Sequence, residues 1–272
     1  MRARHNRQTG FTLVEMIVVM VITGILGGMV AMFIRAPVQG YVDSARRAEL
    51  SDIADTAIRR MKRDVRTAVP NSVRLSGACP NCAVEFLPTK DGGRYRAAAP
   101  GNVLNFSAPG VFDIVGTAIT FAVGDYIVVG STQSDGNPPY DTTVTGVLRA
   151  YTGAAGQQST VSITNTALPA WAELPSQRFD VVDGAQQAVT YACEGVSTVD
   201  GNGTGQLMRY WSYGFTHTPG ATKALLADKV SNCQIDYDVP NQRYGLLAVR
   251  LTLTSGGESV SLYNEIHVNN AP

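Results

Sequence analysis

The chain has 272 residues, 44% of them hydrophobic, which is enough to bury the core of one or two domains and excludes a disordered tail. Its 22 basic and 22 acidic residues cancel, so no global field draws it to nucleic acid or to an acidic membrane surface, and nucleic acid is not an expected partner. Charged residues make up only 16% of the chain, a balance that suits an exported β-rich domain better than a cytosolic helical one.

The first predicted element is a membrane-length helix. Arg2, Arg4 and Arg7 precede an apolar run over residues 11–34, about the length that crosses a bilayer, and the basic leader is expected to stay cytoplasmic. An ordinary secretory signal places its small cleavage residue after a shorter apolar stretch. Here the small residue, Gly10, comes before the run, so a cut at that point keeps the helix. Glu15 lies inside the run, where a carboxylate in hydrocarbon costs about 3 kcal/mol even on lenient insertion scales. Something must offset that cost. Gly24, Gly27 and Gly28 loosen the middle of the helix or permit close packing against another one.

The stretch Gly10-Phe11-Thr12-Leu13-Val14-Glu15 resembles the cleavage and methylation signature of type IV prepilins and pseudopilins. The resemblance implies that a membrane prepilin peptidase cuts after Gly10, that the new amino terminus on Phe11 is methylated, and that Glu15 serves in assembly. It implies as partners the other minor and major pilins and an inner-membrane assembly platform, with no cofactor. Residues 1–10 would then be the discarded leader. Before assembly the chain would cross the inner membrane once through residues 11–34, head in the periplasm, and afterwards stand in a surface pilus. An amine on Phe11 and the Glu15 carboxylate of a neighbouring subunit could neutralise one another in a dry helical bundle.

Pro37 lacks an amide donor and is expected to kink the helix. Helical pattern then resumes as an amphipathic continuation over residues 35–70, with Leu50, Ile53, Ala57, Met61, Val65 and Ala68 on one stripe. Pro70-Asn71-Ser72 stops it near Val69. The charged residues Arg46, Arg47, Arg59, Arg60, Lys62, Arg63 and Arg66, interleaved with Glu49, Asp52, Asp55 and Asp64, read as a solvated face or as a surface for salt bridges to neighbouring subunits.

From residue 71 to 272 the period turns from helical to alternating, which predicts a β-rich head. Candidate strands fall at residues 84–87, 125–129, 144–148, 161–164, 188–193, 206–212 and 234–239, with a closing hairpin of 247–254 and 259–268 about Ser255-Gly256-Gly257-Glu258. Turn clusters are expected at Asp91-Gly92-Gly93, at Asp135-Gly136-Asn137-Pro138-Pro139 and at Asp200-Gly201-Asn202-Gly203. The expected fold class is therefore α+β, pilin-like: a long kinked N-terminal helix on antiparallel sheet, enlarged by added strands between about residues 76 and 185. That size is similar to the larger minor pilins and the J-type pseudopilins of type II secretion. Residues 46–50 and 69–74, and the carboxyl end over 266–272, resemble the MshO group of minor pilins from mannose-sensitive haemagglutinin-type pili.

Four cysteines in two groups fit an oxidising compartment. Cys79-Pro80-Asn81-Cys82 has the spacing of a redox dithiol or of half a zinc site, but its Gly/Pro-rich setting favours a structural loop disulfide. Cys193 with Cys233 is expected to join two strands, closing a loop worth roughly 3 to 4 kcal/mol in the chain-entropy model. Asp200 and Asn202 form a weak calcium candidate that lacks the far-end bidentate glutamate; otherwise no metal is expected. His217 and His267 stand apart, and no nucleophile elbow, phosphate loop or zinc-protease helix is present, so an enzyme is not expected. Trp171, Trp211, Tyr210 and Tyr213 read as core, with a sugar-binding aromatic surface as the alternative for a tip adhesin.

Overall fold

The computed structural model describes residues 10–132, 138–220, 222–237 and 245–268. Residues 1–9 with the leader arginines, most of the Asp135 turn cluster, the end of the strand expected at 234–239 and the last four residues lie outside the described set. The fold is α+β, a long N-terminal helix and an antiparallel β-sheet head. The chain divides into two compact units between Ala48 and Glu49.

Helix α1 runs from Leu13 to Val65 without interruption at Pro37. Its character changes along its length because its sequence does. In the first unit the apolar residues are exposed on every side, from Leu13 at 76% to Ile34 at 56%. In the second unit Leu50, Ala54, Ala57, Ile58, Met61 and Val65 are buried at three- and four-residue steps against Val84, Phe86, Tyr191, Val249 and Leu251 of the sheet. Ala54 and Ile58 belong to the stripe, while Ile53, expected there, is only partly buried. Each large aliphatic side chain so buried stabilises the head by about 1.5–3 kcal/mol.

The helix stops at Val65, four residues short of the expected end. The amides of Thr67 and Ala68 tighten onto the carbonyls of Asp64 and Val65 at 3.1 and 3.0 Å, and the Thr67 hydroxyl also donates to the Asp64 carbonyl. Beyond that point the backbone is already a sheet partner, with Val69 N–H on Leu87 O and Thr89 N–H on Thr67 O. Helical continuation would break both bonds.

The main sheet has seven antiparallel strands in the spatial order Arg74–Ala78, Asn81–Phe86, Val189–Glu194, Gly205–Trp211, Lys223–Asp236, Leu246–Ser255 and Glu258–His267. The last two form the expected hairpin, turning on Gly256 and Gly257, both at positive φ. Lys223–Asp236 starts eleven residues before the strand expected at 234, because register shifts near Val230 and a positive φ at Lys229 interrupt the period-2 pattern.

Between the second and third spatial strands the chain leaves to build a second lobe. Its four-stranded sheet has the order Thr89–Arg94, Arg178–Val182, Tyr126–Val129 and Leu148–Ala150, with two short ribbons, Val111–Asp113 with Thr160–Ser162 and Ile119–Phe121 with Gly156–Gln158. Its core is aromatic, with Phe112 edge-on to Phe179 and Phe121 stacked on Tyr151.

Two expectations are corrected here. Asp91-Gly92-Gly93 is no turn but lies within a strand, because a Cβ on Gly93 would come within 3.1 Å of the Phe179 ring and 2.9 Å of Ile119; the glycines serve packing. The strand expected at 144–148 begins only at Leu148, since the Asp141 carboxylate gathers the hydroxyls of Thr143 and Thr145 into a turn. Arg149, next in that strand, is wholly buried and donates to the carbonyls of Gly146, Leu148, Thr166 and Ala167. Burial lowers its pKa from the ordinary arginine value.

Candidate functional site

The candidate site is the start of α1. Gly10 and Phe11 are exposed and precede the helix, Phe11 at 79%. Thr12 is the N-cap: its hydroxyl accepts the Glu15 amide at 3.3 Å and its carbonyl accepts the Met16 amide at 3.2 Å. Thr12-Leu13-Val14-Glu15 is thus a capping-box sequence, a signal that lies in the same residues as the processing motif. Glu15 lies in the first turn, where the helix end favours a negative charge by roughly 0.3–1 kcal/mol. A cut after Gly10 would leave the amine of Phe11 one residue before the cap and four before Glu15.

Behind the cap the helix is long and apolar enough to cross a membrane, with a peak mean hydropathy of 2.6 and none of that window buried. Among the described residues nothing lies within 4 Å of a Cβ placed on Gly24, Gly27 or Gly28, so no packing among them calls for glycine there. The Thr23 hydroxyl folds back onto the Val19 carbonyl at 2.6 Å and hides its own polarity. Pro37 sits in the helix interior.

The charged half of the helix is largely self-paired. Arg46 faces Asp43 at 3.7 Å, Arg59 faces Asp55 at 2.7 Å and Arg60 faces Asp64 at 3.2 Å, one turn apart in each case. Such exposed pairs contribute little, because solvent and salt screen them and two long side chains must be held in place. Asp64 does more, because its Oδ2 also accepts the Tyr191 hydroxyl at 2.8 Å and the Arg209 guanidinium at 3.0 Å, latching the helix end to two strands of the main sheet. Burial, then the adjacent Asp64 charge, pushes the Tyr191 hydroxyl well above its ordinary pKa.

The structure pairs Cys79 with Cys82 at the tip of the first hairpin, and Cys193 with Cys233 inside the main core. Asp200 and Asn202 face a second hairpin tip. The Asn202 side-chain oxygen is taken by the Gly256 amide at 2.8 Å and its amide nitrogen donates to the Asp200 backbone carbonyl, so the Asn202 side chain is spent on turn bonds. Among the described residues no group of three or more His, Cys, Asp and Glu could hold a metal.

His217 is not isolated, contrary to expectation. Its Nδ1 hydrogen-bonds the carboxylate of Glu85, a residue only 2% exposed whose other oxygen accepts the Arg74 guanidinium at 2.9 Å. The partners are 132 positions apart in sequence, beyond the reach of any spacing rule. Trp171 and Tyr213 pack on a core with Val69, Leu87, Val128 and Leu148, Trp211 packs on the main core, and Tyr210 lies on the sheet's other side with Met208 and Ala192, where Tyr213 also packs. The four are thus spread over three clusters, with Tyr210 and Tyr213 sharing one. Burial and the Glu194 carboxylate push the Tyr210 pKa up to about 12.

The chain matches the family described as the prokaryotic N-terminal methylation motif over residues 5–32. No curated protein and no solved structure matches it. The motif, together with the exposed apolar helix that follows it, supports a type IV pilin-like or pseudopilin protein. Such a protein is processed by prepilin peptidase, works among other pilins and is held in a membrane by its helix.

Proposed function

We propose that the chain is a non-enzymatic structural subunit, cut after Gly10, methylated on Phe11 and assembled through the helix that begins there. Residues 1–10 are then the leader, residues 11–34 the membrane and assembly helix, residues 35–70 its amphipathic continuation with Pro37 inside the helix and the helical part ending at Val65, and residues 71–272 the head. What carries this reading is the coincidence of the methylation motif with a capped helix start whose first-turn acid, Glu15, follows the cut by five residues and stands exposed. In a bundle of such helices a carboxylate so placed and an amine on Phe11 are complementary across neighbouring subunits, and neither is tolerable alone in a dry environment.

At a finer level we infer a minor pilin of the MshO type in a mannose-sensitive haemagglutinin-type pilus, where it helps initiate or cap the fibre. The large two-lobed head supports this, since a bulky subunit repeats poorly along a thin shaft. The head stands in the periplasm before assembly and at the cell surface afterwards. The intact mass of the protein extracted from membranes tests the processing step: a chain starting at methylated Phe11 is expected, and a chain still starting at Met1 would abandon the reading. Subunit abundance in sheared filaments tests the minor role, which fails if this chain is the principal band.

A further inference from the structure

We propose that the Cys79–Cys82 bridge is a thiol–disulfide exchange site for a dithiol, with Cys79 the exchanging sulfur and Cys82 the resolving one. The two bridges differ in how a thiol could reach them. Cys193 and Cys233 are 3% and 1% exposed within the main core, so a thiol reaches them only if the sheet opens. Cys79 is exposed at the end of the hairpin formed by Arg74–Ala78 and Asn81–Phe86, while Cys82, one position into the second strand, is 4% exposed. Of the four cysteines Cys79 alone is an exposed residue, so it is the one an incoming thiolate is expected to meet. Exposed bridges are the labile ones, and the approach of the thiolate decides which sulfur is attacked.

The surroundings of Cys79 supply what exchange needs. Cys79 lines a groove of about 390 Å³ together with Gln234, Asp236, Arg250 and Tyr263. The backbone amide of Ile235 donates to Cys79 Sγ at 3.5 Å. A hydrogen-bond donor at that sulfur favours the thiolate over the thiol, so Cys79 is the sulfur best able to leave again once the exchange is complete. Cys82 has Gly77 as its ladder partner and is held beside Cys79 by the hairpin, in position to reclose the bond.

The exchange balances. A thiolate of the dithiol attacks Cys79 Sγ; the Sγ–Sγ bond breaks and Cys82 departs as a thiolate that takes a proton from water. The second thiolate of the dithiol then attacks its own sulfur in the mixed disulfide, and Cys79 departs as a thiolate facing the Ile235 amide. Two electrons pass from the dithiol to the protein, and the dithiol becomes a disulfide. Run backwards, the reduced pair oxidises itself at the expense of a partner's disulfide, again through a bond at Cys79.

The test uses the full chain in detergent, treated with dithiothreitol under native conditions, quenched with iodoacetamide and mapped by peptide mass. Labelling of Cys79 and Cys82 about tenfold or more faster than of Cys193 and Cys233 is expected. Simultaneous labelling of all four, or none before thermal unfolding, would overturn the proposal. Two variants locate the exchanging sulfur: with oxidised glutathione, Cys82→Ser should acquire a stable mixed disulfide at Cys79, while Cys79→Ser should react at least about tenfold more slowly at Cys82. Equal rates in the two variants would also overturn it. Should either variant fail to fold, the mapping of the unaltered chain decides alone.

Discussion

The two ends of α1 are one helix with opposite obligations. In the unit up to Ala48 the described apolar side chains are exposed; from Glu49 to Val65 one face is sealed under a sheet and the others are wet. The difference teaches where each part finds its stability. Uniform apolarity is a demand for an environment outside the chain, lipid or neighbouring helices, whereas a stripe of three- and four-residue steps is a demand for a core inside it.

Substitutions that act on one end and spare the other test that contrast. The largest effect is expected from Gly10→Val, which blocks the cut: the mature form should vanish from membranes by intact mass, with the thermal melt of the head unchanged. Met61→Ala should do the reverse, lowering head stability by about 3 kcal/mol in denaturant melts through the cavity it leaves, with processing intact. Asp64→Ala should cost somewhat less, about 2 kcal/mol, because the Tyr191 hydroxyl and the Arg209 guanidinium lose their shared acceptor while Arg209 keeps the Gln186 side-chain oxygen. An unchanged melt in either variant would mean that the helix end is not docked as described.

A pH-dependent effect sharpens the picture within the head. Desolvation raises the Asp180 pKa to about 6 in the folded state, from an ordinary value near 4, with Arg178 opposing. A raised folded pKa means that the folded state holds its proton more tightly, so the stabilisation present at pH 4 is lost as pH rises through 6. Asp180→Asn should therefore stabilise the head at pH 7 by about 2 kcal/mol and leave it unchanged at pH 4, read as melting temperature at the two pH values. The smallest effect belongs to Thr12→Ala. Loss of the cap should cost about 1 kcal/mol locally, seen as faster amide exchange at Glu15 and Met16 and no shift in the head's melt.

What the sequence made legible was short-range. The helix start, the buried stripe and the closing hairpin each rest on residues a few positions apart, so Leu50, Met61, Val65 and the Gly256-Gly257 turn could be placed from pattern alone. The misses have a common cause. Gly92 and Gly93 look like a turn until Phe179 is known to stand against them. The Lys223–Asp236 strand hides its period behind a bulge. His217 and Glu85, like Asp64 with Tyr191 and Arg209, are brought together by topology across more than a hundred residues. At the candidate site the motif was plain while Thr12, which caps it, was not singled out.

Phe86 and Val189 are register partners on neighbouring strands, yet about a hundred residues of chain are spent between them. The two attachment points of the second lobe are consequently side by side, and the length of what hangs from them is almost free of cost to the sheet, since closure entropy grows only with the logarithm of loop length. Growth or trimming at this one doorway changes the cargo of the head while the ladder keeps its register, so long as the contacts of Tyr140 with Ser72 and Arg74 are kept, which makes it the natural socket for grafting a foreign domain.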